Sequence, residues 1–406
     1  MRRILYLTYD GLTDPLGQSQ VLPYLVGLSQ KGHKITIVSF EKPERTNDIP
    51  TLQESLDRVH INWRPLTYTK NPPILSTLFD LYKLKRTCKG LQKETKFDIV
   101  HCRSYVTSLT GLYLKSRFGL KFIFDMRGFW ADERVDGGIW SLSNPIFRWV
   151  YNYFKRKEKE FLTNADQIIS LTFKAEEIIQ SWQLKSDKLP ISVIPTCVDT
   201  DHFHPDSIKT DQLNALKSRL EFTGNDFVLS YLGSLGTWYL VKEMVHFFSV
   251  LKKQIPEARF LIITRDNPKQ IFQFAEHYHL DRKDFTLVSA SRDEVPYYIS
   301  LSDWTIFFIK PVFSKSASAP TKMAEIINLN KPILFNLGVG DMDQFNEKYT
   351  IGYGIEQLNE TSFQSAAEFI DSHRELEVEN TLVEKYYSLE KAVEKLDGIY
   401  RELFVG

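Results

Sequence analysis

Two doubly wound α/β domains in tandem are the fold class that this sequence predicts. Three observations carry that prediction. Short β-rich runs alternate with helical runs at the length of a βαβ unit, which requires a parallel sheet. The alternation halts near the middle at PTCVDTDHFHP, a segment with two prolines, acidic residues and little periodicity, and then resumes. The 406 residues, 43% hydrophobic and 25% charged, suffice for two cores and exclude a chain disordered throughout.

The elements follow in order. RRILYLTY is a strand, DGLTDPLGQSQ a loop rich in breakers, VLPYLVGLSQKGH a helix closing at Gly32, and KITIVSF the next strand. Residues 75–94 are helical, FDIVHC is a strand, YVTSLTGLYLKSRFG a helix ending at Gly119, and KFIFDM a strand. A long helix over 145–163 leads to the strands ADQIISL and ISVIP. The first domain thus covers 1–195. The second, 196–380, alternates FVLSYLG, helix 238–254, ARFLIIT, helix 268–278, DFTLVS, helix 293–301, DWTIFFI, helix 320–329 and KPILFN. Helices at 360–373 and 380–403 complete the chain, with 381–406 set apart as a terminal segment. Such sheets bind ligands at the carboxyl ends of their strands, so a two-part ligand is expected.

Charge and cysteines narrow the function classes. Lys+Arg and Asp+Glu each number 51, so bulk charge argues against a nucleic-acid binder. Three cysteines with no paired spacing exclude a disulfide framework or a zinc finger, and no metal site is expected. No apolar run is long enough to span a bilayer. ILYL at the start is too short for the apolar core of a signal peptide, which makes a cytoplasmic protein the expectation.

Four strings, in order, resemble a known family. DGLTDPLGQSQVLPYLVGLSQKGHKITIVSF is similar to the opening of family 4 glycosyltransferases, and VIPTCVDTDHFHP to their interdomain segment. YLGSLGTWY resembles their Gly-rich phosphate loop, and SAPTKMAEIINLNKPILFNLGVGDM their donor-binding helix and the strand after it. The resemblance covers residues 1 to about 345. It implies a GT-B fold, two Rossmann-like domains facing across a cleft, with the last helix crossing back to the first domain. It also implies a retaining sugar transfer from a nucleotide diphosphate-sugar without an essential metal, the donor on the second domain and the acceptor on the first.

Leaving diphosphate must be stabilised by cations and backbone N–H groups. Gly17, before a helix, would let N–H groups approach a phosphate or a sugar; otherwise it is a turn glycine. Gly233 and Gly236 flank Ser234 and Leu235 in the phosphate loop. The family places cations there, whereas this chain has Ser234 and the pair Trp238–Tyr239. Lys322, at the start of a helix, has the best claim to replace them, with Lys315 and Arg265 second. Glu325 matches the second glutamate of the family's paired motif and by that resemblance would hold the ribose hydroxyls, a task suited to an acceptor-only carboxylate. Ala317 stands where the first glutamate belongs.

In the first domain, His101 or Arg103 at the end of FDIVHCRSY could face the donor sugar, and sequence leaves the choice open. FDMRGFWADERVDGGIW crowds charges among aromatic rings, as sugar-binding loops do. Arg127 is the first catalytic candidate in it and Asp132 the second; a surface ion-pair network is the plain alternative. Residues 70–96 read as a basic amphipathic helix, with Arg148, Lys155, Arg156 and Lys157 as a second basic segment. Peripheral docking on an anionic membrane near a lipid-linked or glycan acceptor is therefore expected, in cell-surface polysaccharide synthesis. A nucleotide-sugar epimerase and a non-catalytic binding protein on the same fold are the rival classes.

Overall fold

The computed structural model describes residues 1–404. It divides into two compact units: Met1–Thr196 joined by the segment from Leu389, and Cys197–Ser388. Each is a parallel sheet covered by helices, the α/β architecture that the alternation predicts.

The first sheet contains β1 (Arg3–Leu7), β2 (Lys34–Glu41), β3 (Asn62–Thr67), β4 (Ile99–Arg103), β5 (Lys121–Asp125), β6 (Gln167–Ser170) and β7 (Ile191–Val193). Their order is β3-β2-β1-β4-β5-β6-β7, all parallel. The central strands are buried on both faces, hence their mostly apolar composition, with His101 and Arg103 in β4 and Asp125 in β5 as buried polar residues. The second sheet contains β8 (Phe227–Leu232), β9 (Ala258–Ile263), β10 (Phe285–Val288), β11 (Trp304–Phe307), β12 (Ile333–Asn336) and β13 (Gly352–Ile355), in the order β10-β9-β8-β11-β12-β13. Strand order reverses between β1 and β4 in one sheet and between β8 and β11 in the other. At those points the connecting loops part and open a crevice beyond the strand ends.

Two strands escape the sequence reading, and both lie at sheet edges. β3 contains Pro65 and has only Trp63 buried, and an edge tolerates a proline that a central strand would not. β13 reads Gly-Tyr-Gly-Ile. A Cβ on Gly352 would lie 1.9 Å from the Ile333 carbonyl oxygen, so the strand packs only because that position is glycine.

The chain after residue 380 is also different from the expected single helix. Ser388 is extended (φ −67°, ψ 125°) and ends a turn over Val383–Tyr387. Val198 N–H donates to the Tyr387 carbonyl, so 381–388 stay with the second unit and the boundary moves from 381 to 389. From Leu389 to Glu402 a helix packs on Leu22–Gln30 in the first unit. Gly27 permits the approach, since a Cβ there would meet Val393 Cγ2 at 2.7 Å. Three polar contacts fasten the helix: His33–Asp397 at 2.7 Å, His101–Tyr400 at 2.7 Å, and Lys395 to the Val193 carbonyl at 3.0 Å.

Candidate functional site

At the β1/β4 reversal the first unit gathers buried charge. Arg103 is the last residue of β4 and Asp125 the last of β5, in register with one another. Arg103 Nε donates to Asp10 Oδ2 at 3.2 Å and its Nη2 to Gln20 Oε1 at 3.1 Å. Arg127 donates to the same Gln20 oxygen at 3.3 Å and to Thr196 Oγ1 at 3.1 Å. One neutral amide oxygen thus bridges two guanidinium groups. Burial and the Arg103 charge depress the Arg127 pKa. Burial would raise the Asp125 carboxyl, but Arg127, His101 and Arg103 outweigh it and hold it below the usual range. Arg127 sits at φ +56° and Gly128 at +115°. A left-handed arginine is strained, and strain of this kind persists where surroundings over-determine it, often at functional sites.

His101 lies beneath this pair. Its Nδ1 pairs with the Tyr400 hydroxyl at 2.7 Å and its Nε2 stands 3.7 Å from Asp125 Oδ2. Arg103, not His101, therefore reaches the outer end of the strand. A small cavity bordered by His101, Asp125, Arg127, Gln20, Tyr6 and Tyr400 leaves about 20 Å³ for the centre of a water molecule, enough for one.

The loop after β1 is built on a carboxylate that sequence reading missed. Glu41, buried at the end of β2, accepts from Leu12 N (2.9 Å), Thr13 N (3.0 Å), Thr13 Oγ1 (2.6 Å) and Ser39 Oγ (2.5 Å). Residues expected to be loop then form a short helix, Pro15–Gln20, which delivers Gln20. Gly17 lies within it, and a Cβ there would sit 2.1 Å from the Gly11 carbonyl oxygen. The missing side chain thus serves the loop's packing on itself, the turn-glycine alternative. Gly17→Ala is expected to destabilise the first unit by roughly 1–3 kcal/mol in chemical denaturation; an unchanged midpoint would mean that the loop yields without cost.

Asp132 is not brought to the arginine pair by any hydrogen bond. It accepts from Tyr151 and from Lys155, each at 2.8 Å, and Lys155 also pairs with the buried Glu158, which takes the Tyr105 hydroxyl. This network ties the helix Trp130–Asp136 to Pro145–Asn164, so the plain ion-pair alternative accounts for Asp132.

In the second unit the β8/β11 reversal holds the glycine loop that the resemblance assigns to phosphate. Gly233 follows β8 at φ +143°, and a Cβ on it would lie 2.5 Å from Lys322 Nζ. Lys322 opens the helix Thr321–Asn328 and donates to the Leu232 carbonyl. Its ammonium stands 3.8 Å from the Tyr239 ring centre and 4.8 Å from that of Tyr231. Lys315, buried, stands 3.8 Å from the Trp238 ring centre. The aromatic pair that occupies the place of the family's loop cations therefore holds two lysines brought from elsewhere, by cation–π attraction. The Tyr231 hydroxyl donates to the Ser234 carbonyl, and Leu235 N–H donates to Asp266 at 2.7 Å, which shapes the loop. Arg265 is exposed beside it and donates to the Ala290 carbonyl at 3.1 Å.

Burial pushes the Lys322 ammonium down to about 7, with Glu325 opposing. Burial likewise raises the Glu325 carboxyl, opposed by the charges of Arg292, Lys322 and His202. Glu325 is half-buried one helical turn beyond Lys322, and Ala317 is buried. Among the described residues no group of three or more His, Cys, Asp or Glu could hold a metal ion, and no helix is long and apolar enough to cross a membrane.

The comparisons agree with this architecture. Residues 20–202 match the family model "Glycosyltransferase Family 4". No curated protein matches the chain in sequence. Sucrose-phosphate synthase from Thermosynechococcus elongatus superposes with a TM-score of 0.76 at 15% identity, covering 100% of both chains. HepE from Anabaena in complex with UDP-glucose gives 0.71 at 12%, covering 99% of this chain and 100% of the other. UDP-GlcNAc 2-epimerase from Neisseria meningitidis, bound to UDP-GlcNAc, gives 0.58 at 13%, covering 99% of each.

Proposed function

We propose, from the match of residues 20–202 to the family 4 glycosyltransferase model and from the GT-B-like fold of the chain, that the protein moves a sugar from a nucleotide diphosphate-sugar to a hydroxyl of a glycan or lipid-linked acceptor. Transfer with retention, without an essential metal and in the making of cell-surface polysaccharide is the finer reading. The observation that carries the proposal is the caged Lys322 ammonium above Gly233 at the strand reversal of the second sheet.

In this reading the donor diphosphate lies over Gly233 and Ser234. Lys322 directs the two N–H bonds not used on Leu232 to it, assisted by the N-terminal dipole of its helix. As the sugar–oxygen bond breaks, negative charge grows on the diphosphate, and a fixed cation in a half-buried site opposes that charge more strongly than water would. Glu325 accepts from the ribose diol. Lys315 and Arg265 border the same loop. In the first unit Arg103 and Arg127, spaced by Gln20 and set against Asp10 and Asp125, would offer guanidinium N–H donors to the sugar or the acceptor. A front-face displacement, in which the leaving phosphate oxygen takes the acceptor proton, needs no enzyme nucleophile.

The test is a thermal shift with UDP, GDP and ADP, each with magnesium and with chelator, since binding to the native state raises the midpoint. UDP is the first to try, because HepE and the epimerase carry UDP-sugars. A shift with one nucleotide that survives chelation is the expected result, followed by an axial or equatorial product matching the donor. Ala317 in place of the first glutamate keeps a non-catalytic binding protein as one rival, and the likeness of fold to a UDP-GlcNAc 2-epimerase supports the other, an epimerase. Conversion of the UDP-sugar into its epimer with no acceptor present would establish the epimerase, and silence toward every nucleotide would overturn both transfer and epimerisation.

A further inference from the structure

The first unit exposes apolar surface in an ordered pattern. Among the described residues eleven large hydrophobic side chains are exposed, and seven of them lie on or just before the opening turns of two helices. Leu75, Leu78, Phe79 and Tyr82 lie on Leu75–Thr95, and Ile146 and Trp149 on Pro145–Asn164, with Ile139 in the turn before it. These helices flank Ser104–Phe118 and both pack against it. Each returns antiparallel from the carboxyl end of its strand, β3 or β5, so their opening turns lie at the sheet edge that carries Arg103 and Asp125.

Position along each helix is the informative feature. In Leu75–Thr95 the core face is Ser76, Asp80, Leu84, Cys88 and Leu91. Asp80 locks this end down, accepting from Tyr9 Oη and Thr69 N–H, each at 3.0 Å, and pairing with Lys83 at 2.7 Å. The exposed stripe advances in steps of four and three residues: Leu75, Phe79 and Tyr82, then Arg86, Lys89 and Lys93. One outward face is thus apolar for two turns, roughly 10 Å at 1.5 Å per residue, and cationic beyond. The second helix repeats the order with Ile146, Trp149 and Tyr153, then Arg156, and the Trp149 and Tyr153 rings stack at 5.8 Å. Leu75–Thr95 carries five cations against two carboxylates, one of them the buried Asp80, in a chain with no net charge.

We propose that these two helix openings form a two-pronged docking surface for an anionic lipid bilayer. The apolar turns enter the boundary between headgroups and acyl chains, a layer about 5–10 Å deep. Tyr82, Trp149 and Tyr153 sit at headgroup level, where amphipathic rings are favoured. Arg86, Lys89, Lys93 and Arg156 meet the anionic headgroups. A second copy of the chain would have to offer acids opposite the cationic turns, and the stripe itself offers none. The docking surface does not depend on the transfer reading. Its consequence does: with the prongs on either side of the Arg103 edge, the acceptor would be a hydroxyl held at the membrane surface on a lipid carrier.

Sedimentation with phosphatidylglycerol-containing and pure phosphatidylcholine vesicles at low salt tests the surface, using the full chain without donor. Wild type is expected to bind the anionic vesicles, with binding that weakens as salt is added. Phe79→Ser and Trp149→Ser should each weaken binding about tenfold. The triple change Arg86→Glu, Lys89→Glu, Lys93→Glu should weaken it about a hundredfold or more. All of these positions are exposed, so folding should survive. Trp149 emission should move to the blue on binding, a change missing in Trp149→Phe. Wild type left in the supernatant, or variants that bind as well as wild type, would overturn the proposal. So would a concentration-dependent dimer abolished by Phe79→Ser, which would make the face a contact between copies. The UDP thermal shift on the same proteins separates the two readings: variants that lose vesicles and keep the nucleotide response confine the loss to this surface, whereas no nucleotide response in any of them counts against transfer alone.

Discussion

Lys322→Met is expected to reduce kcat/KM by roughly 2–4 kcal/mol, about thirty- to a thousandfold, while leaving the fold intact. The change keeps an unbranched apolar chain within the Tyr231, Tyr239 and Phe307 rings and removes the charge together with the hydrogen bond to the Leu232 carbonyl. The pH dependence distinguishes this role from a structural one. In the empty protein the ammonium titrates at about 7, against an ordinary lysine value of 10.5. Between those values the unfolded chain binds the proton and the native protein does not, so stability rises with pH across that window and the penalty is complete below about pH 7. Removing the amine should therefore leave the unliganded protein at least as stable as wild type at pH 7, with the difference fading toward pH 10.

Ligand binding reverses the sign. A diphosphate beside Lys322 favours the ammonium and raises its pKa again. Near pH 8, nucleotide binding should take up close to one more proton in wild type than in Lys322→Met, measured by calorimetry in buffers of different ionisation enthalpy. For the free enzyme kcat/KM should fall as pH rises above about 7, for want of the cation. Equal proton uptake by the two proteins, or unchanged turnover in the variant, would remove Lys322 from the mechanism.

The second large effect is on stability. Glu41→Ala should destabilise the first unit by roughly 3–5 kcal/mol, since two backbone N–H groups and two hydroxyls lose their buried acceptor together. At about 2–4 °C per kcal/mol for a unit of this size, the midpoint should drop by roughly 10 °C. Glu41→Gln keeps one acceptor oxygen and should lose less. Because the loop that Glu41 organises ends in the helix that carries Gln20, activity should fall alongside stability. A Glu41→Ala protein that melts with wild type would show that the loop does not depend on this carboxylate.

Much of the fold was legible in local pattern. Central strands of a parallel sheet are buried on both faces and so appear as mostly apolar runs, which is why β1, β5, β8, β11 and β12 are plain in the sequence. The edge strands β3 and β13 were not, because a proline and two glycines obscure them and only pairing with a neighbour makes them strands. The helix Pro15–Gln20 was hidden for a similar reason: it is six residues long, and its N-cap Asp14 makes no side-chain capping hydrogen bond, while Glu41 holds the turn before it.

The sites divide along the same line. Residue types at strand ends and helix starts pointed to Arg103, Arg127 and Lys322 as candidates, since the carboxyl edge of a doubly wound sheet is where ligands bind, and the family resemblance added Glu325. Distance along the chain concealed their partners. Gln20 is 83 residues from Arg103, and Leu232 is 90 from Lys322. The sequence by itself determined two parallel sheets, an opening loop, a glycine loop without its usual cations, and one helix marked by excess positive charge. Only the tertiary structure decided that Trp238 and Tyr239 hold cations from the distant segment around Lys315 and Lys322 and that Asp132 belongs to an ion-pair network. It also decided that the terminal helix breaks at Ser388 before joining the first unit. The physical reason is that hydrophobic periodicity is written in neighbours three or four residues apart, whereas a cation's partner and a carboxylate's donors are chosen by whichever residues the sheet order brings together.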